Sequence, residues 1–271
     1  MIEILNTIDS TYLELCSKLL HSPKVGNTRE MNNVKIVLPD IENENTIVSI
    51  RDISAAYLFA ELIWYFQGRN DARFIGQFAS MWNNISDDGE TSNSAYGYIM
   101  QHRFGFNQVK KVIELLQEDP MSRRAKINLN VPNSKVIETK DEPCTMSLHY
   151  LIRDEKLHCT AVMRSNDIWF GFPYDVAFFT ELQRYIAKAL EIPCGSYTHF
   201  VVSMHLYDRD YDKVKEIVAN PISKPICFNR KKFYENRSFI NSLLDVAIEH
   251  NVDCKEILMK LLKVHDIYEE E

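Results

Sequence analysis

The segments CTMSLHYLIRD (144–154) and KLHCTAVMRS (156–165) decide the fold class. Both have the alternating, β-branched and aromatic character of strands, and Asp154-Glu155 joins them as a tight hairpin, although neither residue is glycine. RRAKINLNV (123–131), NVKIVLP (33–39) and SYTHFVVSMHLY (196–207) supply further strands, with Pro39 ending the second of these. Helical spacing runs through residues 2–20 (Ile4, Leu5, Ile8, Tyr12, Leu13, Cys16, Leu19, Leu20), and GNTRE (26–30) after it reads as a loop. SAAYLFAELIWYFQG (54–68) reads as a largely buried helix ended by Gly68, and NQVKKVIELLQEDP (107–120) as an amphipathic one stopped at Asp119-Pro120. In YDVAFFTELQRYIAKALEI (174–192), Val176, Phe179, Leu182, Ile186 and Leu190 share one helical face, and Gly195 leads into the last strand. Several strands follow one another with no helix between them, so the pattern predicts α+β rather than a regular βαβ alternation. With no repeats and no Pro-, Gly- or Ser-rich linker, the chain reads as one domain over 1–271, whose residues 216–271 form a helical or irregular extension.

The 271 residues, 45% hydrophobic and 25% charged, can bury a sizeable core. A formal charge of −7 argues against broad binding to a nucleic-acid polymer, so an anionic ligand must meet a local arginine cluster. No stretch approaches the ~18 apolar residues of a membrane span, and residues 1–20 lack the pattern of a signal peptide. A cytoplasmic protein with no membrane partner is expected. The six cysteines are scattered, with no C-x-x-C pair and no histidines at zinc spacing, so reduced thiols and no metal are expected.

DEPCTMSLHY (141–150) places Cys144 directly after Pro143 at the start of a strand. A thiol becomes a nucleophile when nearby positive charge lowers its pKa, and Arg164 stands on the adjoining strand of the hairpin. MRSNDIWFGFPYD (163–175) gathers Arg, Ser, Asn and two Asp around a Gly-Phe-Pro turn, a composition that an ordinary polar loop also has. Glu61 lies within an otherwise apolar helix, which agrees with a desolvated carboxyl of raised pKa, although a glutamate on the helix surface reads the same way.

PCTMSLHYLIRD followed by MRSNDIWFGFPYDVAFFTELQ, with DPMSRRA (119–125) before and SMHLY (203–207) after, resembles the thymidylate synthase family, which includes the deoxycytidylate hydroxymethylases. ELIWYFQG (61–68) and MWNNISDDGETSNSAYG (81–97) match further motifs in the same order, over roughly residues 26–215. The resemblance implies one large mixed β-sheet with packed helices, a homodimer with a sheet face at its interface, and a soluble enzyme acting on a pyrimidine nucleoside monophosphate. Its co-substrate would be 5,10-methylenetetrahydrofolate, with neither metal nor flavin.

By the same resemblance Cys144 is the nucleophile that adds to ring carbon 6, making carbon 5 electron-rich. Arg29, Arg164 and Ser165 would hold the 5′-phosphate, joined by Arg123 and Arg124 from the partner subunit. Each arginine taken alone would be read as a solvated surface charge. Glu61 would organise water and proton transfer. Tyr96, His205 and Tyr207 match positions that contact ring or sugar, although His205 alone fits a hydrogen-bonded core histidine equally well. Trp82, Asp167, Phe170, Gly171 and Tyr174 would face the folate, with Asp167 and Tyr96 close to the chemistry.

Three features depart from thymidylate synthase. Asp175 stands where the synthase carries an asparagine that pairs with uracil; a carboxyl with one proton can donate to cytosine N3 and accept from the 4-amino group. Asp175 also suits a helix N-cap. Thr145 follows Cys144 where many synthases have histidine, and HDIYEEE (265–271) lacks the apolar tail that closes over folate. The expected activity is 5-hydroxymethylation of dCMP or CMP, ahead of a methylating reading (thymidylate synthase or a cytidylate methylase) and of a catalytically silent nucleotide- or RNA-binding protein.

Overall fold

The structure, a computed structural model, describes residues 7–130 and 138–270. In chain order the elements are α1 (Ile8–Leu20), β1 (Lys24–Val25), β2 (Thr28–Leu38), α2 (Ala55–Phe66), α3 (Ala72–Ile75), α4 (Met81–Ile85), α5 (Tyr96–Tyr98, continued by a π-helical turn), α6 (Gln108–Glu118), β3 (Lys126–Asn128), β4 (Thr145–Arg153) and β5 (Lys156–Asp167). There follow α7 (Phe172–Ala189), β6 (Cys194–Tyr207), α8 (Tyr211–Ala219), β7 (Ile226–Phe228), α9 (Arg230–Glu249), α10 (Cys254–Val264) and β8 (Tyr268–Glu270). The expected start of the first helix at residues 2–6 and the last residue of the 123–131 strand lie outside the described residues.

Two compact units divide the chain. The first takes its described residues from 1–51, 106–130 and 144–223 and holds a six-stranded sheet in the order β1-β2-β6-β5-β4-β3. All its pairings are antiparallel except β5 with β6, so the sheet is mixed, as α+β architecture requires here. The parallel pair arises because α7 carries the chain back across the sheet between β5 and β6. Asp154 and Glu155 both have positive φ (49° and 57°), which is how a two-residue turn matches the twist of β4 and β5 without glycine.

Four neighbouring strands lose their regular pairing in one row. The β2/β6 ladder skips the step at Asn33 and Val202, the β5/β6 ladder skips Arg164 and Val202, and β4 shifts register between Thr145 and Ser147. Asn33 has φ 56°. Across this row the inward phase changes: Tyr197, His199 and Val201 are buried before it on β6, and Met204 and Leu206 after it. On β5 the same change passes from Ala161 and Met163 to Asn166. Irregular steps of this kind bend strands and reset their two-residue alternation.

GNTRE, expected as a loop, is a hairpin: Gly26 (φ 60°) turns the chain, and Arg29 lies inside β2, paired with Leu206. RRAKINLNV shortens to the three residues of β3. Here α7 begins at Phe172, with Gly171 as its N-cap, so Asp175 sits inside the first turn and does not cap the helix.

The second unit takes its described residues from 52–105, 138–143 and 224–270. Ser54 caps α2 by accepting the Tyr57 N–H at 3.2 Å, and nine of its residues, Tyr57 to Tyr65, are buried. Phe59 packs its ring against Phe228, Phe233 and Tyr268. The extension expected as helical or irregular also contains a two-stranded antiparallel sheet, β7 with β8. Its pairing was hidden because its strands are three residues each and α9 and α10 separate them in sequence. Among the described residues no helix is long and apolar enough to cross a membrane.

Because residue 155 holds a left-handed conformation, Glu155→Gly should stabilise the folded state by about 0.5–1 kcal/mol. The rise in Tm, measured by circular dichroism, checks it; a fall would show that the turn gains nothing from glycine.

Candidate active site

Cys144 is half-buried at the entrance to β4, and its carbonyl accepts the backbone N–H of Arg164 at 2.9 Å. Burial pushes the Cys16 and Cys194 thiols up to about 12 and raises Cys159 and Cys254 as well. Such thiols stay protonated and inert. Cys144 and Cys227 are the two that keep partial exposure.

Along β5 and β6 the hairpin motif and SMHLY run side by side: Ser165 is level with Ser203 and Asp167 with His205. Ser165 Oγ lies 3.4 Å from His205 Nδ1, and the His205 and Tyr207 rings meet edge to face at 5.0 Å. Arg209 covers Tyr207 at 4.1 Å and reaches Asp167 at 3.7 Å. Burial raises the Asp167 carboxyl, opposed by the Trp169 N–H, which donates to it at 2.8 Å, and by the nearby His205 and Arg209. Arg29 donates to the Ser22 carbonyl at 3.0 Å and lies 5.0 Å over the Tyr211 ring. Arg123 and Arg124 are exposed, Arg124 within 3.9 Å of Asp119.

The turn into α7 is built by close approach. A Cβ on Gly171 would stand 2.5 Å from Asn166 Nδ2 and 3.0 Å from the Asp167 carbonyl, so only glycine fits. Phe170 is 43% exposed, whereas Tyr174 is buried. Arg51 lies over Trp169, Phe170 and Tyr174 at 4.6, 5.5 and 5.5 Å, a cation held by aromatic faces.

Asp175 is partly exposed as a residue, yet its carboxyl is enclosed and desolvation pushes it up to about 7. Asp167 contributes to that rise, and Asn166 opposes it by donating Nδ2–H to Oδ2 at 2.8 Å. Asn166 Oδ1 lies 2.9 Å from His199 Nε2, and His199 Nδ1 lies 2.8 Å from the Tyr197 hydroxyl. Burial lowers His199 to about 3, so its ring is neutral at working pH.

Within the second unit, Glu61 is 5% exposed. Tyr57 donates its hydroxyl to Glu61 Oε1 at 2.5 Å, Tyr65 does so at 3.5 Å, and the Trp82 indole N–H donates to the Tyr57 hydroxyl at 3.0 Å. The spacing of Tyr57, Glu61 and Tyr65 along α2 puts all three on one helical face. Tyr96 is buried and stacks on Tyr65 at 5.5 Å. Among the described residues, no three His, Cys, Asp or Glu side chains are grouped to hold a metal ion.

Asn166, His199, Tyr197, Trp169 and Arg51 were not among the residues singled out from sequence. Asn166 sits inside the quoted MRSND segment, and Tyr197 and His199 alternate with Val201 on one strand face; that two-residue spacing of polar with apolar side chains was the available signal.

The raised Asp175 pKa has a definite sign for stability. Between the ordinary unfolded value near ~4 and about 7 the folded state binds the extra proton, so stability is greatest below that window and falls as pH rises through it. Asp175→Asn should remove this loss, so its Tm relative to wild type should be higher at pH 8 than at pH 5. A constant difference across that range would place the Asp175 titration elsewhere.

The thymidylate synthase family model matches residues 10–261. A deoxyuridylate hydroxymethyltransferase of Pseudomonas phage M6 is 29% identical over 179 residues, 64% of this chain and 51% of that protein. A protein of the same name from Bacillus phage SP01 is 28% identical over 218 residues, 74% of this chain and 57% of the relative. The chain therefore spans about half the length of these two relatives. A thymidylate synthase of Clostridium beijerinckii is 25% identical over 243 residues, covering 86% and 89% of the two chains. With its mixed six-stranded sheet and a family match over nearly its whole length, this chain belongs to the thymidylate synthase family.

Proposed function

We propose that the protein is a (deoxy)cytidylate 5-hydroxymethyltransferase that uses 5,10-methylenetetrahydrofolate as co-substrate. The Cys144 thiolate adds to ring carbon 6, and the electron pair pushed to carbon 5 attacks the one-carbon unit of the folate. Removal of the carbon-5 proton and departure of tetrahydrofolate, which takes up a proton on its nitrogen, leave an exocyclic methylene at carbon 5. Water adds to that methylene, and departure of the thiolate restores the ring, so the net reaction consumes one water and releases tetrahydrofolate. A role for Glu61 in organising that water rests on the family resemblance.

The observation that carries the cytosine reading is the enclosed Asp175 carboxyl, which accepts the Asn166 Nδ2–H at Oδ2 (2.8 Å) and, raised by burial to about 7, still holds a proton near neutral pH. An asparagine amide donates only from its nitrogen and accepts only at its oxygen, whereas this carboxyl with one proton can give that proton to N3 from one oxygen and accept from the 4-amino group at the other. The same contact would stabilise the charge that builds when Cys144 adds, so it bears on kcat as well as on affinity. Uracil-directed hydroxymethyl transfer is the second reading, favoured by the names of the two phage relatives.

Arg29, Arg164 and Ser165 are assigned to the 5′-phosphate, His205 and Tyr207 to the nucleotide, and Asp167, Phe170, Gly171 and Tyr174 to the folate. A homodimer is supported by the exposure of Arg123 and Arg124, which leaves them available to a partner's phosphate site, and by apolar Met146 and Val202 exposed on the sheet.

Incubation with dCMP, CMP or dUMP plus methylenetetrahydrofolate, with the product identified by mass, tests the assignment. A hydroxymethylated cytidylate without dihydrofolate is expected; dihydrofolate formed in step with product would establish methylation instead. Cys144→Ser should abolish turnover while nucleotide binding, measured by calorimetry, stays close to wild type, and near-normal turnover would remove Cys144 from the chemistry. Asp175→Asn should shift the cytosine-to-uracil ratio of kcat/KM toward uracil by roughly 30- to 1,000-fold, the worth of two matched hydrogen bonds. An unchanged ratio would leave Asp175 without a part in base choice.

A further inference from the structure

A protonated carboxyl is an ambiguous reader of pyrimidines. With the proton on one oxygen it complements the acceptor N3 and the 4-amino donor of cytosine, and with the proton on the other it complements the donor N3 and acceptor O4 of uracil. Protonation of Asp175 alone therefore does not select a base. Something must fix which oxygen donates.

We propose that Tyr197, His199 and Asn166 form a one-way hydrogen-bond relay that makes Oδ2 of Asp175 the acceptor and places its proton on Oδ1, so that these three residues set the base preference without touching the base. The proposal rests on the reading of Asp175 as the base-facing carboxyl.

The direction of the relay follows from its closed end. Among the described residues, His199 is the hydrogen-bond partner of the buried Tyr197 hydroxyl, at 2.8 Å from Nδ1. If that hydroxyl accepted from the ring, its own hydrogen would be buried unpaired, which is costly. Tyr197 therefore donates, and His199 Nδ1 accepts. A neutral imidazole carries its hydrogen on the other nitrogen, so Nε2–H donates to Asn166 Oδ1 at 2.9 Å. The amide of Asn166 is then oriented with Nδ2–H toward Asp175 Oδ2 at 2.8 Å. An oxygen that receives this bond is favoured as the carbonyl oxygen, and the proton goes to the other.

Each member is held in place. His199 is fully buried and meets Phe172 edge to face at 5.4 Å, and Asn166 is 2% exposed. A Cβ at position 171 would collide with Asn166 Nδ2, so Gly171 leaves the space that this amide occupies. The titratable groups bearing on Asp175 are Asp167, which disfavours its charged form, and Tyr197, whose own ionisation Asp175 disfavours in turn. His199 acts through Asn166 and stays neutral.

The test uses Tyr197→Phe, which removes one hydroxyl and keeps the ring, His199→Phe, which removes the donor to Asn166, and His199→Gln, whose amide can still donate. Freed of the relay, the Asn166 amide can turn its carbonyl to Asp175, and that orientation needs a proton on Oδ2. Two readouts are taken for each variant. The first is the dCMP-to-dUMP ratio of kcat/KM, expected to move toward one by about tenfold or more in Tyr197→Phe and His199→Phe and to be regained in His199→Gln. The second is the pH midpoint of the Asp175 carboxyl in the ligand-free protein, followed by infrared difference spectroscopy with Asp175→Asn as the blank. It is expected to rise by about one unit, a tenfold change in proton affinity, in the two Phe variants. Unchanged ratio and unchanged midpoint in Tyr197→Phe, the mildest substitution, would overturn the relay. If wild type prefers dUMP but the ratio still collapses toward one and the midpoint still rises, the cytidylate reading fails and the relay stands.

Discussion

The row of irregular pairing through Asn33, Val202, Arg164 and Met146 is the constraint on which the placement of the first unit's polar side chains depends. A strand alternates its side chains with period two, so without an extra step the phase that buries Ala161 and Met163 would bury Ser165 and Asp167 and turn Asn166 outward. One aligned step in four strands reverses this. Asn166 then comes to the covered side, and Ser165, Asp167, His205 and Tyr207 keep partial exposure on the other phase. The bend also lets residues from the two sides of the row meet. His199 is level with Ala161 in the ladder, before the row, yet its ring bonds to Asn166 beyond it.

What this arrangement costs is visible in the groups it buries. Asp175 loses solvation and accepts a hydrogen bond from Asn166, and its pKa rises. Gly171 gives up conformational restriction so that Asn166 can approach the backbone. Arg51 is buried against three aromatic rings. Around them lies an ordinary well-packed core of Tyr12, Leu15, Ile186 and Val201, which supplies the stability that the polar groups spend. Perturbed, enclosed titratable groups of this kind gather at functional sites more than elsewhere.

Glu61 illustrates the same balance on a single helix. Its carboxyl is buried in the second unit but lies one turn from Tyr57 on one side and Tyr65 on the other, so two phenols supply the hydrogen bonds that water would have given. The Trp82 indole then fixes Tyr57. Sequence marked Glu61 as anomalous because a charged residue interrupts an apolar run. It also held the phenols at helical spacing, but nothing in the spacing told that they point at the carboxyl.

Local signals in the sequence determined much of this protein. Hydrophobic periodicity located α2, α6, α7 and the long strands; Asp154-Glu155 marked the β4–β5 turn; the ordered motifs around Cys144, Arg164 and SMHLY identified the family. These depend on residues close together in the chain, where spacing is itself geometry. Only the tertiary structure decided the rest: that GNTRE is a strand edge, that β7 pairs with β8 across two helices, that Asp175 lies inside a helix turn, and that Asn166, His199 and Tyr197 lead to it. Strand pairing and burial join residues far apart in the chain, and a carboxyl's proton affinity is set by the enclosure that results, which no local spacing encodes.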